Sequence, residues 1–229
     1  MTINDTTRRF VAEAVGTCLL IIAVIGSGIM AERLSPDDVG LQLLENAAAT
    51  GAALVALILI FASISGAHFN PAVTIVALVH RTIGAADGAR HIVAQIVGGC
   101  AGAVLANLMF DLPAVELSTH VRSSGALWLS EVVATAGLLL VIFGCVRTGR
   151  ASAVPYAVGL WIAGAYWFTS STSFANPAVT IARTLSDTFA GIDPASVPMF
   201  ILMQLVGTLV AIGLIAVLYP TSRAEDAND

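Results

Sequence analysis

The sequence predicts an all-α polytopic membrane protein: six transmembrane helices plus two re-entrant half-helices, arranged as an inverted repeat. Three observations carry this expectation. Of 229 residues, 57% are apolar and only 11% charged, with a mean hydropathy of +0.89; a soluble domain has about 25% charged residues. Apolar runs of roughly 20 residues, the length a bilayer requires, recur along the chain. The hexapeptide NPAVTI occurs twice, at Asn70–Ile75 and Asn176–Ile181.

The same composition argues against a soluble enzyme, a disordered chain and a coiled coil. It also argues against a nucleic-acid binder: the net charge is -5, lysine is absent, and the arginines are scattered. About six spans leave little chain for anything else, so one transmembrane domain is expected over residues 1–229. The first apolar run is read as a span rather than a cleaved leader, because the chain beyond it is equally apolar.

Span one is expected from about Phe10 to Met30, followed by a polar loop, Ala31–Glu45, holding Pro36, Asp37 and Asp38. Span two covers about Asn46–Ile64. The segment after it, Ser63–His80, has only about ten apolar residues beyond Pro71, too few to cross, so it reads as a re-entrant or interfacial helix. Span three covers His91–Phe110. After the loop Asp111–Ser124 come span four, Gly125–Val146, and span five, Ser152–Phe168. A second short helix follows in Thr169–Asp187, then span six, Pro198–Tyr219, and a polar tail.

In this layout Arg8, Arg9, Arg81, Arg90, Arg147, Arg150 and Arg223 fall on one side, and only Arg33, Arg122 and Arg183 on the other. The positive-inside rule then places both termini in the cytoplasm.

The repeat extends beyond NPAVTI. Ala12–Gly26 aligns with Ser130–Gly144, pairing Glu13 with Glu131, Thr17 with Thr135 and Gly26 with Gly144. The repeats cover about residues 8–110 and 125–220, with three spans each. An odd number of spans per repeat inverts the second half relative to the first. Two short helices entering from opposite faces then meet at mid-depth.

Asparagine is a good N-cap and proline suits the first helical position. Asn70-Pro71-Ala72 and Asn176-Pro177-Ala178 are therefore expected to start the short helices. Each helix N-terminus carries roughly half a positive charge, so their meeting point repels cations. Each Asn oxygen caps its own helix, and each NH2 is expected to face a lumen as a donor. That arrangement suits a pore for neutral hydrogen-bonding solutes that leaks neither protons nor ions. The irregular stretches Ser63–Phe69 and Ser170–Ala175 line a cavity on this reading.

Glu13 and Glu131 are the acidic residues deep in spans. The structural reading has each accept hydrogen bonds from the loop beside a short helix. Proton-coupled transport and a wet position near an interface are the alternatives. Gln95 and Gln204 are matched polar residues, read as packing and hydrogen bonding. His68 is read as a structural loop residue, with a pH gate as the alternative. Cys18, Cys100 and Cys145 lie in apolar runs without CxxC spacing, and the histidines make no HExxH pattern. No cofactor and no metal are expected. Gly98 and Gly102 form a GxxxG that allows close helix contact. Trp128, Trp161 and Trp167 read as interface anchors or packing.

The chain resembles the aquaporin and glycerol-channel family, the major intrinsic proteins. The resemblance rests on SGAHFNPAVT at Ser65–Thr74, the second NPA at Asn176–Ala178, AExxGT at Ala12–Thr17 and AQxxGG at Ala94–Gly99. It implies six helices and two half-helices, a homotetramer with one pore per subunit, and passage of water, glycerol or neutral metalloid acids. Family members sort solutes at an outer constriction of four positions, one an arginine directly after the second NPA. Here that position is Val179. Arg183, one turn further, either reaches back toward the pore or meets Asp187.

By the same resemblance the span-two filter position is Thr50. The span-five position is Gly164 counting back from Asn176, or Tyr166 counting forward from Val158-Gly159. The loop position is Ser173, or Thr172 on a one-residue shift. The missing arginine resembles a bacterial subgroup associated with arsenic handling. The expected function is a passive channel for small neutral solutes, glycerol-like polyols and arsenite among them, and for water, in a bacterial inner membrane. A strictly water-selective aquaporin, a proton-coupled secondary transporter and a closed structural protein are the alternatives. Enzymatic activity is not expected.

Overall fold

The computed structural model describes residues 4–220; the polar tail, with Arg223, lies outside the described residues. The first helix, α1, runs Asp5–Leu34 and starts at Asn4, whose side chain accepts from Thr7 N at 2.8 Å. It outruns the apolar stretch at both ends because the flanking residues are good helix material: Asp5 and Arg9 pair one turn apart at 2.9 Å. Helix α2, Val39–Ser65, begins well before Asn46. Asp38 caps it by accepting from Leu41 N, and Gln42 donates back to Ser35 O. The expected loop Ala31–Glu45 therefore shrinks to a turn around Pro36.

Helix α3, Pro71–Val79, is the first short helix. Helix α4, Ala85–Met109, begins six residues before His91, with Asp87 in its first turn bonded to Arg90. Helix α5 is Gly125–Arg147, capped by Ser124. A 3₁₀ turn, Ala151–Ala153, leads into α6, Val154–Phe168. The 15 residues of α6 span only ~22 Å, so it is the shortest of the six long helices. Helix α7, Pro177–Ala182, is the second short helix, continued by a 3₁₀ turn, Arg183–Leu185. Helix α8 is Val197–Leu218.

The packing repeats across the two halves. Helix α1 lies against α4 and α2, as α5 lies against α8 and α6. Each short helix packs on the last helix of its own half and also on that of the other: α3 on α4 and α8, α7 on α8 and α4. The halves join through α2 and α6. Small residues set these distances. A Cβ on Gly102 would press on Cys18 O, and one on Gly207 would lie 2.6 Å from Val132 O. At the join, a Cβ on Gly159 would lie 2.7 Å from Gly51 O. Backbones this close gain dispersion contact that lipid cannot supply.

Large apolar side chains such as Leu160, Leu209 and Val217 point outward, as a lipid-facing shell requires. The three cysteines are free and half-buried. Trp161 packs inward, its Nε1 donating to Ala134 O at 3.2 Å, while Trp167 is exposed on the apolar surface.

Candidate pore and its constriction

Asn70 and Asn176 start the short helices as their sequence predicts. Asn70 Oδ1 accepts from Ala72 N at 2.8 Å; Asn176 Oδ1 accepts from Ala178 N at 3.0 Å and Val179 N at 3.2 Å. The threonine of each NPAVTI adds a bond inside the first turn: Thr74 Oγ1 donates to Asn70 O, and Thr180 Oγ1 to Asn176 O.

The amide nitrogens are not wholly free, which corrects the expectation above. Asn70 Nδ2 donates to Ala175 O and Asn176 Nδ2 to Phe69 O, both at 2.8 Å. Each amide thus uses one of its two hydrogens to clasp the opposite loop. The other hydrogen remains for the cavity, which both asparagines border. Pro71, Ala72, Pro177 and Ala178 are buried behind them.

The loops before the asparagines carry matched left-handed backbone: Gly66, Ala67 and Phe69 in one, Thr172, Ser173 and Ala175 in the other. The non-glycine members cost of order 1 kcal/mol each, so something must hold them. The buried glutamates do so. Glu13 accepts from Ser65 Oγ at 2.6 Å, His68 N at 3.0 Å, Phe69 N at 2.8 Å and Gln95 Nε2 at 2.8 Å. Glu131 accepts from Ser171 Oγ at 2.6 Å, Phe174 N at 3.0 Å, Ala175 N at 2.9 Å and Gln204 Nε2 at 2.6 Å. The glutamines also reach Thr74 and Thr180 of the short helices. His68 contributes to the same scaffold: its Nδ1 lies 3.1 Å from Thr74 Oγ1 and its ring packs edge-on against His91.

A cavity of about 370 Å³ runs along this clasp. Its wall is largely apolar, with Leu20, Val24, Leu54 and Ile162, and carries polar groups that include the asparagines, Thr50, Ser173 and Tyr166. Thr50 Oγ1 and Tyr166 Oη lie 3.3 Å apart. Ser173 Oγ has no protein partner among the described residues. Val179 borders the cavity, and so does Arg183.

Two of the alternative positions lie off the cavity wall. Gly164 does not border the cavity; the nearest group to a Cβ there is the Phe168 ring at 3.5 Å. Gly159 faces Gly51, and Tyr166, two turns later, shares its inward face. Thr172 likewise stands off the cavity, and Ser173 occupies the wall.

Arg183 does not meet Asp187, which accepts instead from Thr119 N at 2.8 Å. Arg183 is 2% exposed, donates through Nε to Ala190 O and stacks its guanidinium 3.5 Å from the Phe174 ring centroid. Phe174 and Arg122 are the residues that sequence reasoning missed. Phe174 borders the cavity, and Arg122 lies across the same ring at 5.1 Å. Burial pulls the Arg122 guanidinium from the ordinary arginine range to about 10, which leaves it charged at neutral pH.

An apolar helical shell around a largely apolar cavity with a few hydroxyls and amides on its wall, built from two inverted halves, is the architecture of a transmembrane channel. The comparisons agree. The family model "Major intrinsic protein" matches residues 1–164 and 146–228. The chain is 50% identical over 219 residues to "Aquaglyceroporin AqpS" of Rhizobium meliloti strain 1021, covering 96% of this chain and 93% of that protein. It is 30% identical over 168 residues to "Aquaporin Z" of Bradyrhizobium diazoefficiens, covering 67% of this chain and 69% of that protein. Its fold superposes on the X-ray structure of the aquaglyceroporin from Plasmodium falciparum with a TM-score of 0.71, over 92% of this chain and 95% of that one, at 22% identity.

The chain belongs to the major intrinsic protein family. It is a passive membrane channel for small neutral solutes and not an enzyme.

Proposed function

We propose that the whole chain forms one channel domain that conducts glycerol-like polyols, neutral metalloid acids such as arsenite, and water, while excluding protons and ions. The observation that carries this reading is the lining of the cavity. Thr50, Tyr166 and Ser173 offer hydroxyls on a cavity wall that is largely apolar, and Val179 borders the same cavity at the position where the family resemblance expects a filter arginine. A polyol presents hydroxyls along one side and CH groups along the other, and arsenous acid is uncharged and polyol-like in its hydroxyls. Both match such a wall. Arg183 supplies a charge one turn beyond Val179, stacked on Phe174 rather than at the filter position itself. The name of the Rhizobium meliloti relative, an aquaglyceroporin, supports the same solute class.

The paired helix N-termini place partial positive charge at the clasp, which disfavours cations. The remaining amide hydrogens of Asn70 and Asn176 orient a passing oxygen as acceptor, which interrupts a proton-conducting chain of waters. Glu13 and Glu131 act as structural acceptors in this reading, since their oxygens are engaged by loop and glutamine donors. The assembly is a homotetramer in a bacterial inner membrane, with both termini in the cytoplasm.

Stopped-flow light scattering on reconstituted liposomes tests the reading. Rapid shrinkage in a sucrose gradient and rapid re-swelling in glycerol are expected, followed by arsenite uptake. Shrinkage without glycerol re-entry would instead mark a water-selective pore closed by Tyr166 or Arg183. A flux that follows an imposed proton gradient would mark a transporter.

A further inference from the structure

Arg122 lies on the loop between α4 and α5 and does not border the cavity. It is nevertheless only 7% exposed. Its Nε donates to Gly191 O at 2.8 Å and its Nη2 to Phe189 O at 3.2 Å, while its own backbone N–H donates to Ser196 Oγ at 3.0 Å. Arg183 Nε donates to the carbonyl between those two, that of Ala190. Two guanidiniums from distant parts of the chain therefore grip three consecutive carbonyls of the α7–α8 connection. They also share one aromatic ring, Phe174, which borders the cavity.

This arrangement holds two guanidiniums on one ring with neither in a salt bridge to a carboxylate among the described residues. Among the described residues the ion pairs are Arg9–Asp5 and Arg90–Asp87. Carbonyl dipoles and the negative ring face compensate the guanidiniums instead. Such compensation is directional, so it fixes positions as well as charge. If Arg122 is lost, Phe189 O and Gly191 O lose their donors. The segment then shifts, Ala190 O moves, and the Arg183 guanidinium bonded to it moves too. Phe174 also loses one of its two cationic neighbours. Both residues that change place stand in the cavity wall.

We propose that Arg122 is a positioning residue that sets the upper size limit of permeating solutes, by locking Phe174 and Arg183 in place from outside the pore. The proposal rests on the reading that the Thr50–Tyr166–Ser173–Val179 region is the constriction. The test compares liposomes containing the parent, Arg122→Met, Arg122→Lys and Tyr166→Ala proteins, measuring glycerol and xylitol permeability on each sample. A purely structural role would reduce the active fraction and lower both fluxes by one factor, leaving their ratio unchanged. We expect Arg122→Met to raise the xylitol-to-glycerol ratio about tenfold, the factor given by ~1.4 kcal/mol of differential barrier. Arg122→Lys keeps the charge but not the planar fork, and falls between. Should Arg122→Met fail to assemble, the Arg122→Lys ratio decides. An unchanged ratio in the Arg122 variants beside a raised one in Tyr166→Ala overturns the proposal and leaves the constriction standing. An unchanged ratio in all of them overturns both.

Discussion

Replacing Glu131 separates a structural acceptor from a proton carrier. Its two oxygens accept from Ser171 Oγ, Phe174 N, Ala175 N and Gln204 Nε2, in a site with no solvent exposure. Glu131→Ala strands all of these donors. Each buried donor left unpaired costs about 1–3 kcal/mol, or roughly 4–12 kcal/mol together, against a typical total stability of about 5–15 kcal/mol. That protein is not expected to accumulate folded. Glu131→Gln keeps the oxygen that serves Ser171 and Phe174 but turns an NH2 toward Ala175 N and Gln204 Nε2. Two bonds are lost, about 2–6 kcal/mol. Interhelical hydrogen bonds in membranes average only about 0.6 kcal/mol, but Ala175 is itself a left-handed loop residue, and its N–H is held by Glu131.

For a chain of this size 1 kcal/mol shifts the melting point by roughly 2–4 °C. Glu131→Gln should therefore melt roughly 4–24 °C lower in detergent, followed by size-exclusion recovery after heating. Glu13→Gln should behave alike, because Glu13 has the same partners in the first half. A melting point within about 3 °C of the parent, combined with lost flux, would refute the structural reasoning and favour proton coupling.

Three further outcomes are expected. Val179→Arg puts a long cation into the cavity wall beside Arg183 and should cut glycerol flux at least about tenfold, with water flux less affected; unaltered glycerol entry would remove Val179 from the constriction. Gly159→Val drives a side chain into Gly51 O and Val55 and should cost about 1–3 kcal/mol in a thermal melt, whereas Gly125→Ala, with open space around it, should be silent; equal melts would deny the close α2–α6 contact. His120, in the loop outside the spans, titrates below the usual histidine range because of burial first and the Arg122 and Arg183 charges next. The unfolded chain then takes its proton first as pH falls. The stability from neutral His120 is present above about pH 6.5 and drains away as pH drops toward the folded value. His120→Gln should flatten the melting curve over that interval, and an unchanged slope would exclude His120 as the cause.

Most of the architecture was legible because bilayer length, the positive-inside bias and a repeated hexapeptide constrain the same layout. Span ends were less legible. Asn4 and Asp38 carry their helices into polar sequence by side-chain capping, which an apolar-run boundary ignores. Counting forward from Val158-Gly159 reached Tyr166, which borders the cavity, because glycine contact with Gly51 fixes the register of α6. Counting back from Asn176 reached Gly164, which lies off the cavity wall. Arg122 was illegible for a different reason. Its partners are backbone carbonyls about seventy residues away, and carbonyls leave no mark on a sequence.

The exchange of amide bonds between the loops also bears on how the chain is made. Asn70 needs the carbonyl of Ala175, and Phe69 O needs the amide of Asn176. A ribosome delivers the first half long before the second, so the first short helix must wait in the membrane with these groups unpaired. The clasp closes only when the chain has been synthesised past Asn176. Assembly is therefore expected to be late and all-or-none. The two halves, expressed as separate polypeptides, should each be short-lived alone and persist when made together.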